Sequence, residues 1–443
     1  MAKQIKALKC PQCGSTKKQD VKEDHYICNS CSTEYFLDSD DIHVHVDYQQ
    51  PSFRQSNKSK TPALSVLIGA AICIGIFLIP LIINLVSSNN TSGTFENLPK
   101  YNERIESFFA YKGKDAKQPI LVAKIRRTVY SSNDEYFLRF VNPLTGEVLN
   151  DQLMADWGSG NYLQWRRFDD GKLYLYVDKI NKVYLINEVR HELADVTDAL
   201  FADLTELSSG IATLKFTSEH EGDGFKIMTN DGKEYTYYPI AKKLYSSYQE
   251  LRDAREGLKS LLPDAMETSR YLFTEKSSEY PEEKIQLIKY WYKRNLGYPI
   301  DLPYRTNWKR VYDYNSRFGP ARYEKKLFQN GRITRFENLT PDRLYFDAKI
   351  ILQDSSHLFI TGLPNANPEG KYFLQQIDTK TGNVLWTFTP EAEKYQFGSA
   401  ASYDGGIIIR YHNWGSPGRI DRIAIINKEG KVIKEIDNEN LNF

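Results

Sequence analysis

The chain has 443 residues, enough for two or three domains, each able to bury a core. Its 58 basic residues balance 57 acidic ones to a net charge of +1, which excludes a chain organised as a whole around a polyanion. Aromatic residues make up 13%, with 30 Tyr against 4 Met, which argues against extensive disorder and towards β-structure, where rings fit a pleated surface.

Four of the five cysteines fall in two Cys-x-x-Cys pairs inside "CPQCGSTKKQDVKEDHYICNSC": Cys10 with Cys13, and Cys28 with Cys31. Each pair can turn two thiolates inward, and two pairs complete a tetrahedron, the arrangement Zn2+ requires. The segment from about 8 to 37 resembles the zinc-ribbon family, a small β-module held by four cysteines on two knuckles. The resemblance implies a structural zinc, since four protein thiolates leave no open position for a substrate. An iron-sulfur cluster would use the same four thiolates. A redox pair would need a βαβ unit that about thirty residues cannot supply. His25, His43 and His45 read as exposed residues, and the ribbon region is assigned to 1–48.

A polar linker, 49–62, leads to "ALSVLIGAAICIGIFLIPLIINLV", residues 63–86, which lie in an uncharged stretch bracketed by Lys60 and Glu96. As a helix these positions span about 36 Å, enough to cross a hydrocarbon core of roughly 30 Å. A cleaved signal peptide fits poorly, because a foldable module precedes the run. Arg54, Lys58 and Lys60 stand before it, and no basic residue follows until Lys100, so the positive-inside bias predicts a cytoplasmic N-terminus, a single-pass anchor in the cell membrane and an extracytoplasmic C-terminal part. The four paired cysteines then sit in the reducing compartment, and no cysteine follows Cys73. Residues 87–100 read as a second linker.

From 101 to 443 the texture is short strand-like runs, among them "PILVAKIRRTVY", "KLYLYVD", "EYTYYPI", "HLFITGL" and "GIIIRYH", separated by turn residues, which predicts a mainly β domain. Four hairpin-like turns carry Gly146, Gly232, Gly382 and Gly430. The first two are 86 apart, near twice a propeller blade of about 40 to 45 residues, and the last two are 48 apart, near one. "IDTKTGNVLWTF" resembles the repeat of the PQQ-like (quinoprotein-like) β-propellers, with Asp378, Thr381, Gly382 and Trp386 in the repeat positions. "VNPLTGEVL" is a weaker copy with Thr145 and Gly146 and no Trp. The resemblance implies a Trp docked between blades and a scaffold type of propeller. No PQQ is expected, since the dehydrogenases' adjacent cysteines have no counterpart. Setting aside an insertion leaves about 250 residues, room for about six blades.

That insertion, about 246–335, reads as helical. "YQELRDAREGLKSLL" has helical spacing, and "PEEKIQLIKYWYKRNLG" opens on a proline and acids and closes on Lys293, Arg294 and Gly297, the order that capping and the helix dipole favour. From Lys289 to Arg335 twelve basic residues face three acidic ones, interleaved with Tyr and Trp. Lys293, Arg294, Trp308, Lys309 and Arg310 are therefore a candidate binding surface for a lipid headgroup, a glycan or an acidic protein. The competing reading docks the insertion on its own propeller, because Leu185 to Tyr235 holds eleven acidic and four basic residues. No Gly-x-Ser-x-Gly elbow, P-loop or His-Glu-x-x-His is present.

The leading expectation is a membrane-anchored binding or scaffold protein with a protein or envelope component as partner; nucleic acid is not expected. The alternatives are an envelope enzyme, such as a glycan hydrolase with carboxylates at the propeller mouth, and a transmembrane signalling module.

Overall fold

A computed structural model describes residues 10, 16–22, 25–29, 34–36, 101–113, 117–129, 133–256, 258–312, 323–328, 330–390, 395–413 and 420–437. The anticipated membrane segment, 63–86, lies outside these. Among the described residues no helix is long and apolar enough to cross a membrane.

In the N-terminal module the strands Lys18–Lys22, His25–Cys28 and Glu34–Phe36 form an antiparallel sheet in chain order. Cys28 ends the central strand opposite Lys18. Cys10 and Cys28 are both buried. Cys13 and Cys31 lie outside the described residues.

The remainder is a six-bladed β-propeller. Six antiparallel meanders follow one another: blade 1 at 101–153, blade 2 at 163–195, blade 3 at 211–245, blade 4 at 266–338, blade 5 at 346–388 and blade 6 at 396–437. Five have four strands. Blade 4 has three, Met266–Phe273, Leu287–Arg294 and Ile333–Asn338, with a separate hairpin, Lys309–Tyr312 and Tyr323–Lys326, between its last two. The first strands of neighbouring blades pack together, as Met266–Phe273 does on Phe346–Gln353 and that strand on Gln396–Tyr403. Phe108, Leu121 and Ala123 of blade 1 pack on Ala401, Tyr403 and Ile408 of blade 6, which closes the ring.

The helical insertion is overturned. The single α-helix among its described residues is Tyr248–Arg255, whose Ser247 hydroxyl accepts from the Glu250 N–H at 3.2 Å. The stretch with helix-like ends is the middle strand of blade 4. Ile288, Tyr290 and Tyr292 are buried at alternate positions, whereas Lys289 and Trp291 share the other face, with the ammonium 5.1 Å from the indole ring. A period of two in aromatic and β-branched residues outweighs charge order at the ends. The propeller therefore places one blade inside the supposed insertion and five in the flanking stretches.

The turn between the third and fourth strands is the repeating device. In blade 5 the Asp378 carboxylate accepts from the Lys380 and Thr381 N–H groups at 2.9 and 2.7 Å, and the Gly382 N–H returns to Asp378 O at 2.9 Å. Blade 1 repeats it with Asn142 accepting from the Leu144 N–H at 3.0 Å and Gly146 donating to Asn142 O at 2.8 Å. In blade 2 Asn187 accepts from Val189 and Arg190, both at 3.1 Å, and His191 holds the left-handed position at φ 54. Blade 3 places Lys242 there at φ 50. Gly232 instead joins the second and third strands of its blade, so the spacing from Gly146 to Gly232 links two non-equivalent hairpins.

Candidate functional site

Apolar clusters seal the junctions between blades 1 and 2, 2 and 3, 4 and 5, 5 and 6, and 6 and 1. Among the described residues no such cluster joins blade 3 to blade 4, where that of blade 4 is its own. Polar groups make this seam. The short turn Glu219–Glu221 follows the first strand of blade 3, and the Ser218 N–H donates to the Glu221 carboxylate at 2.8 Å. Lys226 lies 2.8 Å and Arg255 2.9 Å from the same carboxylate. Burial alone would raise the Glu221 carboxyl, but Lys226, the Ser218 N–H and Arg255 outweigh it and hold it at about 2.

The chain leaving Arg294 then crosses this turn as a strap. The Ile300 N–H donates to Glu221 O at 3.1 Å, the Leu302 N–H to His220 O at 2.8 Å, and the Glu275 N–H to Thr306 O at 2.7 Å. At Gly222, φ +91, a Cβ would lie 3.0 Å from Tyr298 O, so the close crossing requires glycine. Arg294 reaches Asp169 of blade 2 at 2.7 Å, and the Asp169 N–H donates to the Asp223 carboxylate at 2.7 Å. Burial, followed by the Asp169 charge, pushes the Asp223 carboxyl up to about 6.

Two cavities flank the strap and share Glu275, Leu302, Pro303, Tyr304 and Arg305. The outer one, about 1180 Å³, runs along the hairpin of blade 4 and holds Lys309 and Asn307, whose side-chain oxygen has no hydrogen-bond partner among the described residues. The inner one, about 500 Å³, opens between blades 3, 4 and 5 beside His220, Arg270 and Lys349. Tyr304 stands between them, 65% exposed, its ring 4.7 Å from that of His220 and 5.2 Å from the Arg305 guanidinium.

The five residues of the basic, aromatic candidate surface have separate fates. Arg294 is in the seam ion pair, and Lys309 lines the outer cavity. Lys293 is exposed and lines neither cavity. Trp308 is half-buried under Lys325, whose ammonium is 4.6 Å from its ring, and Arg310 lies over Tyr280 at 5.7 Å. The repeat residues belong to the framework. Thr381 donates to Asp378 at 2.9 Å, and Thr145 accepts from the Glu147 N–H at 3.2 Å. Trp386 is buried between blades 5 and 6, and its indole N–H donates to Gln376 at 2.7 Å. His220, Arg270 and Tyr304 escaped notice as a group because blade pairing, which no local pattern records, brings them together.

One constellation has the residue types of a hydrolase without its wiring. Asp354 accepts from Ser402 and faces His357, each at 3.0 Å, so the serine is bound to the carboxylate rather than to the imidazole of the usual serine–histidine pair. Asp223 lines neither cavity at the strap.

No protein family matches the chain, and no curated protein matches it. Among solved structures it is similar to virginiamycin B lyase from Staphylococcus aureus, at 13% identity, 76% of this chain, 88% of that one and a TM-score of 0.22. It is also similar to the Dos1 propeller, at 10% identity, 76% of each chain and a TM-score of 0.21. Likenesses this distant carry no functional argument, and the propeller rests on the six meanders.

Proposed function

We propose that this chain is a membrane-anchored binding or scaffold protein, with a zinc-ribbon module in the cytoplasm, a helix at 63–86 in the membrane and a PQQ-like propeller outside that holds an envelope component at its third seam. The observation that carries the reading is the pair of cavities flanking the strap. Five junctions of the ring are closed by apolar side chains, whereas this one is built from charges and opens into space of ligand size. The charge step across 63–86 supports the orientation. Cys10 and Cys28, both buried, suit the zinc, for which Cys13 and Cys31 would complete the set.

The test uses the full-length protein in lipid nanodiscs, mixed with washed envelope fragments. Saturable retention, with external protease on spheroplasts removing the propeller and sparing the N-terminal module, is the expected result. Absence of retention sinks the binding role, and the reverse protease pattern sinks the orientation. Release of reducing ends from the fragments would establish the enzyme alternative in its place.

A further inference from the structure

The inner cavity contains a cation with no ion-pair partner among the described residues. Arg270 projects from the first strand of blade 4, half-buried, and makes no hydrogen bond or ion pair with any described residue. Guanidinium groups withdrawn from water are usually matched by a carboxylate or a phosphate, because a forked donor left unmatched loses hydration without return. Of the nearby arginines, Arg294 has Asp169 and Arg255 has Glu221, while Arg332 is held by Ala254 O and the Ser260 hydroxyl and Arg166 by Thr217 and Gly222 O; each has a polar partner of a kind that Arg270 lacks among the described residues. Around the same space stand Arg305 and Lys349, the latter 3.9 Å from Asp347, against Glu219 and Glu275, and none of these carboxylates is bonded to Arg270. The forked donor of Arg270 is the group that has an unmet need for an anion.

Its shape and second polar character narrow the anion. At about 500 Å³ the space exceeds a bare oxyanion and suits a ring of one or two sugar units. Tyr304 presents a ring that His220 and Arg305 approach without covering, since 65% of the residue remains exposed. An exposed aromatic ring at a cavity mouth stacks on the apolar face of a pyranose, and the carboxylates of Glu219 and Glu275 can accept from its hydroxyls. Beyond Tyr304 the outer cavity continues past the side-chain oxygen of Asn307, which has no partner among the described residues, and gives an attached chain somewhere to run.

We infer that the seam between blades 3 and 4 is a binding site for an acidic glycan, with Arg270 clasping the acid group of one sugar, Tyr304 stacking on its ring and the outer cavity holding the adjoining units. This rests on the binding reading above and specifies the ligand class for it.

The experiment is calorimetric titration of the full-length protein in nanodiscs with oligogalacturonate of four to six units, its methyl ester, and inorganic phosphate. A charge-assisted bond to Arg270 predicts that the ester binds at least about tenfold more weakly. Arg270→Gln should abolish this discrimination, and Tyr304→Ala should weaken both oligosaccharides. Tyr304 is exposed, so its variant reports even if the Arg270 variant fails to fold. The inference is overturned if the acid and its ester bind equally, if phosphate competes at the same concentration as the oligosaccharide, or if either folded variant binds as the wild type does. Retention of envelope fragments by wild type and both variants alike would move the binding surface elsewhere while leaving the binding role standing. Failure of the wild type to retain them would remove the role itself.

Discussion

Trp386 and Glu221 both sit at a boundary between blades, yet they close it by opposite means. Trp386 enters an apolar cluster with Phe359 of its own blade and Phe397, Ile409 and Tyr411 of blade 6, and Gly430 makes room for it, since a Cβ there would lie 2.7 Å from the indole base. Glu221 instead gathers Lys226, Arg255 and a backbone N–H, while the strap hydrogen-bonds to its carbonyl. An apolar boundary draws on surface removed from water and tolerates no opening. A polar one can leave solvent-filled space beside it, because its groups are satisfied by one another. The cavities lie where the boundary is polar.

The largest effect should follow from attacking the apolar type. Trp386→Ala removes a buried indole, strands the Gln376 acceptor and leaves a void, and should cost about 3 to 5 kcal/mol in urea unfolding of the propeller. Oligosaccharide binding by the remaining folded fraction should be unchanged. A loss below about 1 kcal/mol would mean that the wedge between blades 5 and 6 is dispensable.

Glu221→Gln tests the polar type. The amide still accepts from Ser218, but Arg255 and Lys226 lose their counter-charge, and the expected cost is about 2 to 3 kcal/mol, below that for a fully buried pair because Lys226 is 36% exposed. The folded carboxyl lies near 2, under its ordinary 4.5, so its contribution is complete above pH 4.5 and fades as pH falls through 2. Wild type should therefore lose stability over that window faster than the variant. Parallel pH curves would refute the ion pair as the stabilising element.

Asp223 has the opposite sign. Its carboxyl is raised from 3.8 to about 6, so the stability it contributes is full below 3.8 and is lost as pH rises through 6. Asp223→Asn keeps an acceptor for the Asp169 N–H without the charge that burial and Asp169 oppose. It should stabilise the propeller by about 1 to 2 kcal/mol at pH 7.5 and hardly at all at pH 4. Destabilisation at pH 7.5 would show that Arg166 and Arg294, whose charges favour the Asp223 carboxylate, outweigh its burial.

How much of this could be read from the chain depends on how local each signal is. The turn with Asp378 and Gly382 was legible because one carboxylate, two N–H groups and a positive φ lie within five residues. Its counterparts in blades 2 and 3 were not, because His191 and Lys242 occupy the left-handed position and erase the glycine. The middle strand of blade 4 was misread because charges at its ends imitate helix capping, although Ile288, Tyr290 and Tyr292 already alternate. Arg270 carried no signal at all: its distinction is a missing partner, which exists only after three blades have been brought together.

The smallest effect concerns the basic residues that stood out in the sequence. If all of Lys293, Arg294, Lys309 and Arg310 docked on the acidic stretch Leu185 to Tyr235 of the same propeller, each should matter to stability. The structure ties Arg294 to Asp169, which precedes the acidic stretch that begins at Leu185, and leaves Lys293 and Lys309 exposed without a side-chain partner among the described residues. Solvated lysines contribute little, so Lys293→Ala with Lys309→Ala should shift unfolding by under about 0.5 kcal/mol, whereas Arg294→Ala alone, which leaves Asp169 beside Asp223 without its cation, should cost clearly more. Lys309 lines the outer cavity, so the double variant should bind oligogalacturonate somewhat more weakly, with a shallower dependence on salt. A stability loss from the double variant as large as that from Arg294→Ala would erase the distinction between the ion pairs that close the seam and the charges that face its cleft.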